Sequence, residues 1–185
     1  MKARFKYLSY LFLVASCTLI MSTSSNLKAD DTVANLLTSA IENGDTRALD
    51  FLFSHGVNVN HRLQYYNAVP LIAAVRRGDK AMVETILKYH PNLNDSQIWT
   101  TKGDEKDRYR TALMAAAELG DMGLVKILVQ HGADVSFRID VVYYDEDTYL
   151  PYNVESPTAA EVAEREGHKA IAAFLQHTAQ TKKEL

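Results

Sequence analysis

Residues 111–136 read TALMAAAELGDMGLVKILVQHGADVS, and the fold turns on how they are read. An alanine-rich segment ends at Gly120-Asp121, a pairing that marks a turn. Leu124, Val125, Ile127 and Leu128 then recur at helical spacing, and the segment closes on His131-Gly132-Ala133-Asp134-Val135. Two short helices whose apolar faces meet across a tight turn account for this pattern. The pattern returns as VPLIAAVRRGDKAMVETILKYHPNLN over 69–94, LLTSAIENGDTRALDFLFSHGVNVN over 36–60 and TAAEVAEREGHKAIAAFLQH over 158–177. One helix pair cannot bury both of its faces, so repetition predicts a stack of pairs sharing a continuous core.

The register is set by the turn glycines Gly44, Gly78, Gly120 and Gly167, which are followed by Asp45, Asp79, Asp121 and His168. Each of those four residues is a candidate cap for the second helix. Fourteen residues beyond the first three glycines stand Asn58, Asn92 and Asp134, and one further Val59, Leu93 and Val135. Gly56 and Gly132 are placed to end second helices in the left-handed conformation. His90 occupies the same place in the second full repeat, which predicts a strained cap there.

These features resemble the ankyrin repeat, with its Thr-Pro-Leu-His start, Ala-Ala pair, mid-repeat glycine and closing Gly-Ala-Asp. The match is most specific from Thr111 to Val135 and good from Pro70 to Asn94, with degenerate first and last units of the kind that cap a stack. The resemblance implies an all-α solenoid of about four helix-turn-helix repeats over residues 33–177, followed by a tail over 178–185. It also implies protein recognition rather than catalysis. The family's Thr and His braces are replaced by Val69, Thr111 and Thr158, and by Ile72, Met114 and Glu161. That substitution predicts loss of the polar brace and its partial replacement by apolar contact.

The repeats are not evenly spaced. Gly44 and Gly78 lie 34 residues apart, but the next intervals are 42 and 47. The excess falls between repeats, where the family carries finger loops, here HRLQYYNA, DSQIWTTKGDEKDRY and FRIDVVYYDEDTYLPYNVE. Tyr65, Tyr66, Trp99, Tyr109, Tyr143, Tyr144, Tyr149 and Tyr152 are concentrated in these three segments. Tyrosine and tryptophan give large contact area for few rotatable bonds, which suits them to binding hot spots. Val141–Tyr144 and Thr148–Tyr152 are β-prone and are joined by Asp145, Glu146 and Asp147, so the longest segment reads as a hairpin finger with an acidic tip. These eleven residues are the candidate protein-binding set, and the plainer account is that the rings pack on one another to hold long loops together.

The amino terminus has a different character. MKARFK is basic, 7–21 form an uncharged, mostly apolar run, and STSSNLKAD is small and polar. This predicts a secretory signal over residues 1–29 and a periplasmic or secreted destination, the apolar run being too short for a comfortable membrane span. Cys17, in Val-Ala-Ser-Cys, resembles a bacterial lipoprotein processing box, which would instead supply a lipid anchor. The apolar run continues through Thr18-Leu19-Ile20-Met21, which favours a soluble exported protein. Lys2, Arg4, Lys6 and Lys28 would leave with the signal and no acid would, so 16 basic groups would face 23 acidic ones. A mature charge of −7 disfavours nucleic acid and anionic membranes as partners, and favours a protein with a basic or hydrophobic patch.

Chemistry-bearing motifs are missing from the sequence. No Gly-x-Ser-x-Gly elbow or phosphate-cradling glycine loop occurs, and the single cysteine lies in the predicted signal. His55 and His131 stand at matching repeat positions, where a histidine meets helix-end carbonyls rather than a metal. The expectation is a non-enzymatic binder without cofactor or metal, monomeric on its own. It would act as an inhibitor, an immunity protein or an accessory factor of a periplasmic enzyme. Two alternatives stand beside it: an enzyme or small-ligand binder using a pocket between fingers, with Asp140, Asp145 and Glu146 as acid or base, and an effector delivered to another cell.

Overall fold

The computed structural model describes residues 26–63, 68–99, 108–144 and 151–183, with 26–30, 97–99, 108–109, 140–144, 151–155 and 182–183 described by their backbone. Among them the helices are α1 (Asn26–Glu42), α2 (Thr46–Ser54), α3 (Pro70–Arg76), α4 (Lys80–Leu87), α5 (Ala112–Leu119), α6 (Met122–Gln130), α7 (Ala159–Arg165) and α8 (Lys169–Lys183). Strands β1 (Ser96–Trp99) and β2 (Arg108–Thr111) form one antiparallel hairpin, and β3 (Asp140–Tyr144) and β4 (Pro151–Glu155) a second. Each hairpin lies between one helix pair and the next. The fold is the all-α solenoid expected, with hairpin fingers at the repeat junctions.

The second helices start where the aspartates stand. Asp45 accepts from the Ala48 amide at 3.0 Å, Asp79 from Met82 at 3.0 Å, and Asp121 from Gly123 and Leu124 at 2.8 and 3.1 Å. Each bond satisfies an amide that the helix itself leaves without a partner. His168 departs from this role. Its Nε2 lies 3.2 Å from the Glu118 carbonyl oxygen, so the ring reaches back to the preceding repeat instead of capping α8. At the other end of the second helices, Gly56 and Gly132 have φ of 89° and 94°, and His90 takes φ of 51° in place of a glycine. That non-glycine left-handed residue is the strained cap the sequence predicted.

First helices pack in one layer, α1 on α3, α3 on α5 and α5 on α7, while α2, α4 and α6 form a second layer behind them. Fully buried Ala74, Ala116, Ala117 and Ala163 let the first helices approach closely. Leu49, Met82, Ile86, Leu124, Leu128 and Leu175 fill the space between layers, each fully buried. Polar contacts tie neighbouring repeats at the rim. The Tyr89 hydroxyl donates to the Asp50 carbonyl at 3.0 Å, its ring lying 5.4 Å from that of Phe53, and Lys80 Nζ stands 3.0 Å from Asp121 Oδ1. Burial opposes ionisation of Asp121, but the Lys80 ammonium and the two capping amides outweigh it and hold the carboxyl below its ordinary range.

The brace at the start of the first helices is only partly apolar, which corrects the sequence reading. Ile72 and Met114 are buried as expected. At the last repeat, however, Thr158 accepts from the Glu161 amide at 3.3 Å while Glu161 accepts from the Thr158 amide at 2.8 Å. This reciprocal pair is a capping box, so polar bracing is retained with glutamate in place of histidine. At the chain ends, the described helix α1 includes residues 26–29 of the segment assigned to the signal, and α8 includes the tail's residues 178–183.

Candidate interaction surface

The three fingers leave the stack at equivalent points, and each is closed at its root. In the first, the Leu63 amide donates to the Ala68 carbonyl at 2.8 Å, and Leu63 is buried. Tyr65 and Tyr66 fall between these two and lie outside the described residues. In the second, Ser96 pairs with Thr111, Ile98 with Tyr109 and Trp99 with Arg108. Thus Trp99 and Tyr109 occupy adjacent rungs on opposite strands. Asp95 joins this finger to the first one, since its Oδ1 accepts from Arg62 Nη2 at 3.1 Å and from the Ser96 amide at 2.8 Å.

The third finger runs Asp140–Tyr144 against Pro151–Glu155, with Tyr143 opposite Tyr152 and Tyr144 opposite Pro151. Asp145, Glu146, Asp147 and Tyr149 lie outside the described residues. Of the span Thr148–Tyr152 expected for the returning strand, residues 148–150 lie outside the described residues; the described strand covers Pro151–Glu155 and runs toward the stack, with Glu155 opposite Asp140. The register puts positions Val141, Tyr143, Tyr152 and Val154 on one face of the ribbon and Val142, Tyr144 and Asn153 on the other. Tyr143 and Tyr152 are therefore brought together, whereas Tyr144 is set apart from them.

Sequence reasoning missed the residues that anchor this finger. The Ile139 amide donates to Ser156 Oγ at 2.7 Å and the Ser156 amide to the Ile139 carbonyl at 2.9 Å, closing the ribbon below its last paired rung. Arg138 donates from Nη1 to the Ser156 carbonyl at 3.0 Å and from Nη2 to Glu161 Oε1. The Thr158-x-x-Glu161 spacing was the available signal, being a capping box written in sequence. A second omission is Leu119, an exposed large apolar residue, 49% accessible, at the end of α5 just before the turn residue Gly120.

The Arg138 guanidinium is the main influence holding the Glu161 carboxyl below its ordinary value of 4.5, with partial burial opposing and the Thr158 amide assisting. A carboxylate whose folded pKa is depressed stabilises the fold above its unfolded pKa and loses that contribution as pH falls through the folded value. The difference in urea midpoint between the wild type and Glu161→Gln is therefore expected to hold constant from about pH 7 to 5 and to close below about pH 4. A difference that persists undiminished in acid would assign the effect to packing instead.

Among the described residues no group of three His, Cys, Asp or Glu side chains is placed to hold a metal ion. His55 Nδ1 lies 2.8 Å from the Phe51 carbonyl oxygen, the helix-end contact that its sequence position suggested. No described helix is long and apolar enough to cross a membrane.

Two family models match the chain: one described as ankyrin repeats (many copies) over residues 37–87, the other as ankyrin repeat over 108–140. No curated protein matches it significantly. Ankyrin repeats are generally protein–protein interaction modules. The capped helix pairs, the left-handed turn residues, the hairpins at the repeat junctions and both matched segments agree, and the chain belongs to the ankyrin-repeat proteins.

Proposed function

We propose that this is an exported module that recognises a protein partner through its fingers and the adjoining concave face of the stack. The observation that carries the reading is the third finger. It is a five-rung antiparallel ribbon with Tyr143 and Tyr152 at paired positions on one face and Tyr144 on the other, raised from a closed root on the helix layer. Aromatic residues carried on a supported ribbon suit recognition, because little backbone freedom is lost on binding. The acidic set Asp145, Glu146 and Asp147 suits a basic partner, whose approach it would accelerate. An inhibitor, an immunity protein or an accessory factor of a periplasmic enzyme would use a finger in this way.

Combined replacement of Tyr144 and Tyr149 by alanine is expected to weaken binding by roughly 2 kcal/mol or more while leaving the unfolding midpoint nearly unchanged. The measurement is calorimetric titration of the wild type and the variant against the protein that the wild type captures from its native extract. Lost stability with full affinity would assign the tyrosines to internal packing and move the interface to the helices.

Export is part of the same reading and is supported by the basic start, apolar run and polar exit of residues 1–29. The intact mass of the native protein is expected to correspond to a chain that has lost this segment. A mass beginning at Met1 would reject export, and a diacylated chain beginning at Cys17 would establish the lipid-anchored form.

A further inference from the structure

We propose that Glu161 is a positioning residue for the long finger, fixing its angle to the helix stack, so that the C-terminal repeat is part of the binding apparatus. The inference rests on the finger being the recognition element.

The two carboxylate oxygens of Glu161 do different work. Oε2 accepts from the Thr158 amide and completes the cap of α7. Oε1 accepts from Arg138, whose other nitrogen reaches the Ser156 carbonyl at 3.0 Å. Arg138 stands just before the first ribbon pair and Ser156 just after the last, so one guanidinium grips both legs of the finger and passes their position to a helix start. The equivalent positions in the two preceding repeats are Ile72 and Met114, both buried and apolar. A carboxylate at this position is thus confined to the repeat that follows the longest finger.

The geometry makes this contact matter more than its energy does. The Arg138 and Glu161 side chains are 37% and 47% exposed, and an ion pair that open to solvent adds little to global stability. A two-stranded ribbon has no packing of its own sufficient to fix its direction. At roughly 3.3 Å per residue a five-residue strand reaches about 16 Å, so a tilt of about 20° at the root moves its far end by about 6 Å. Binding groups out of place by that amount do not meet a rigid complementary surface.

The test is made on the free full chain carrying Cys17→Ser, with spin labels at Asn153→Cys on the ribbon and Ala173→Cys on exposed α8. The label-to-label distance distribution is expected to be narrow, and to widen about twofold in Glu161→Gln and in Arg138→Gln. Glutamine keeps an oxygen for the Thr158 amide, so the helix cap survives the first substitution. Exchange of the Ile139 and Ser156 amides should accelerate about fivefold or more in both variants, as expected of a locally loosened root. Thr158→Ala, which weakens the cap but keeps the carboxylate, should lower the melting temperature and leave the distribution narrow. Unchanged widths in both glutamine variants would overturn the proposal, as would equal widening by Thr158→Ala, which would reduce Glu161 to a cap. Because no partner is involved, failure here is separate from failure of the Tyr144 and Tyr149 experiment.

Discussion

Leu128→Ala is expected to destabilise the protein by about 2–5 kcal/mol, the range for truncating a large buried side chain that leaves a cavity behind. Leu128 is fully buried in α6, and Leu113 in α5, 2% exposed, should respond similarly. Both sit in the repeat that has a neighbour on each side, so the lost contacts are with two helix layers and the surroundings have little room to collapse. Urea unfolding measures the effect. A change under about 0.5 kcal/mol at both positions, the scatter of surface substitutions, would place them outside the core.

Gly120→Ala should be nearly as costly, for a different reason. Gly120 has φ of 72°, and a Cβ built there would meet His168 Cε1 at 2.5 Å and both ring nitrogens at 2.8 Å. An L-residue in this conformation costs about 1–2 kcal/mol, and displacing His168 from the Glu118 carbonyl forfeits about 1 more. The sum is about 2–3 kcal/mol. Gly78 supplies the control, because φ there is 70° and a Cβ would meet nothing within 4 Å. Gly78→Ala should therefore cost only the conformational part. Equal losses at the two sites would mean that the His168 ring moves aside freely, and in a His168→Ala background the added cost of Gly120→Ala should fall to the Gly78 level.

The helix stack was legible because its signals are local. Asp45, Asp79 and Asp121 cap whatever helix follows them, and the recurring glycines set the turns, so neither needs a distant contact to be recognised. Even the strain at His90 could be read by comparing its position with Gly56 and Gly132. The fingers were legible in place and in type, but their closure was not: Ile139 meets Ser156 across the ribbon, a contact that propensity along either strand does not encode. Glu161 was misread because comparison with a consensus histidine showed only what was missing. The residue that completes the arrangement, Arg138, lies 23 positions earlier and on another element. His168 was assigned a cap by analogy with three aspartates, but an imidazole is long enough to reach the preceding repeat, and it does.

Each finger closes on itself where it meets the stack: Leu63 with Ala68, Ser96 with Thr111, Ile139 with Ser156. Everything beyond these closures can change length without altering the spacing of the helices on either side. Doubling such an excursion costs only about 0.6 kcal/mol in loop closure, a small charge against a core that lies wholly on the other side of the closure. The roots therefore act as sockets. A finger can be shortened, extended or exchanged between repeats as a cassette, and the intervals of 34, 42 and 47 residues between turn glycines show one chain already carrying three such inserts on a single, unaltered frame.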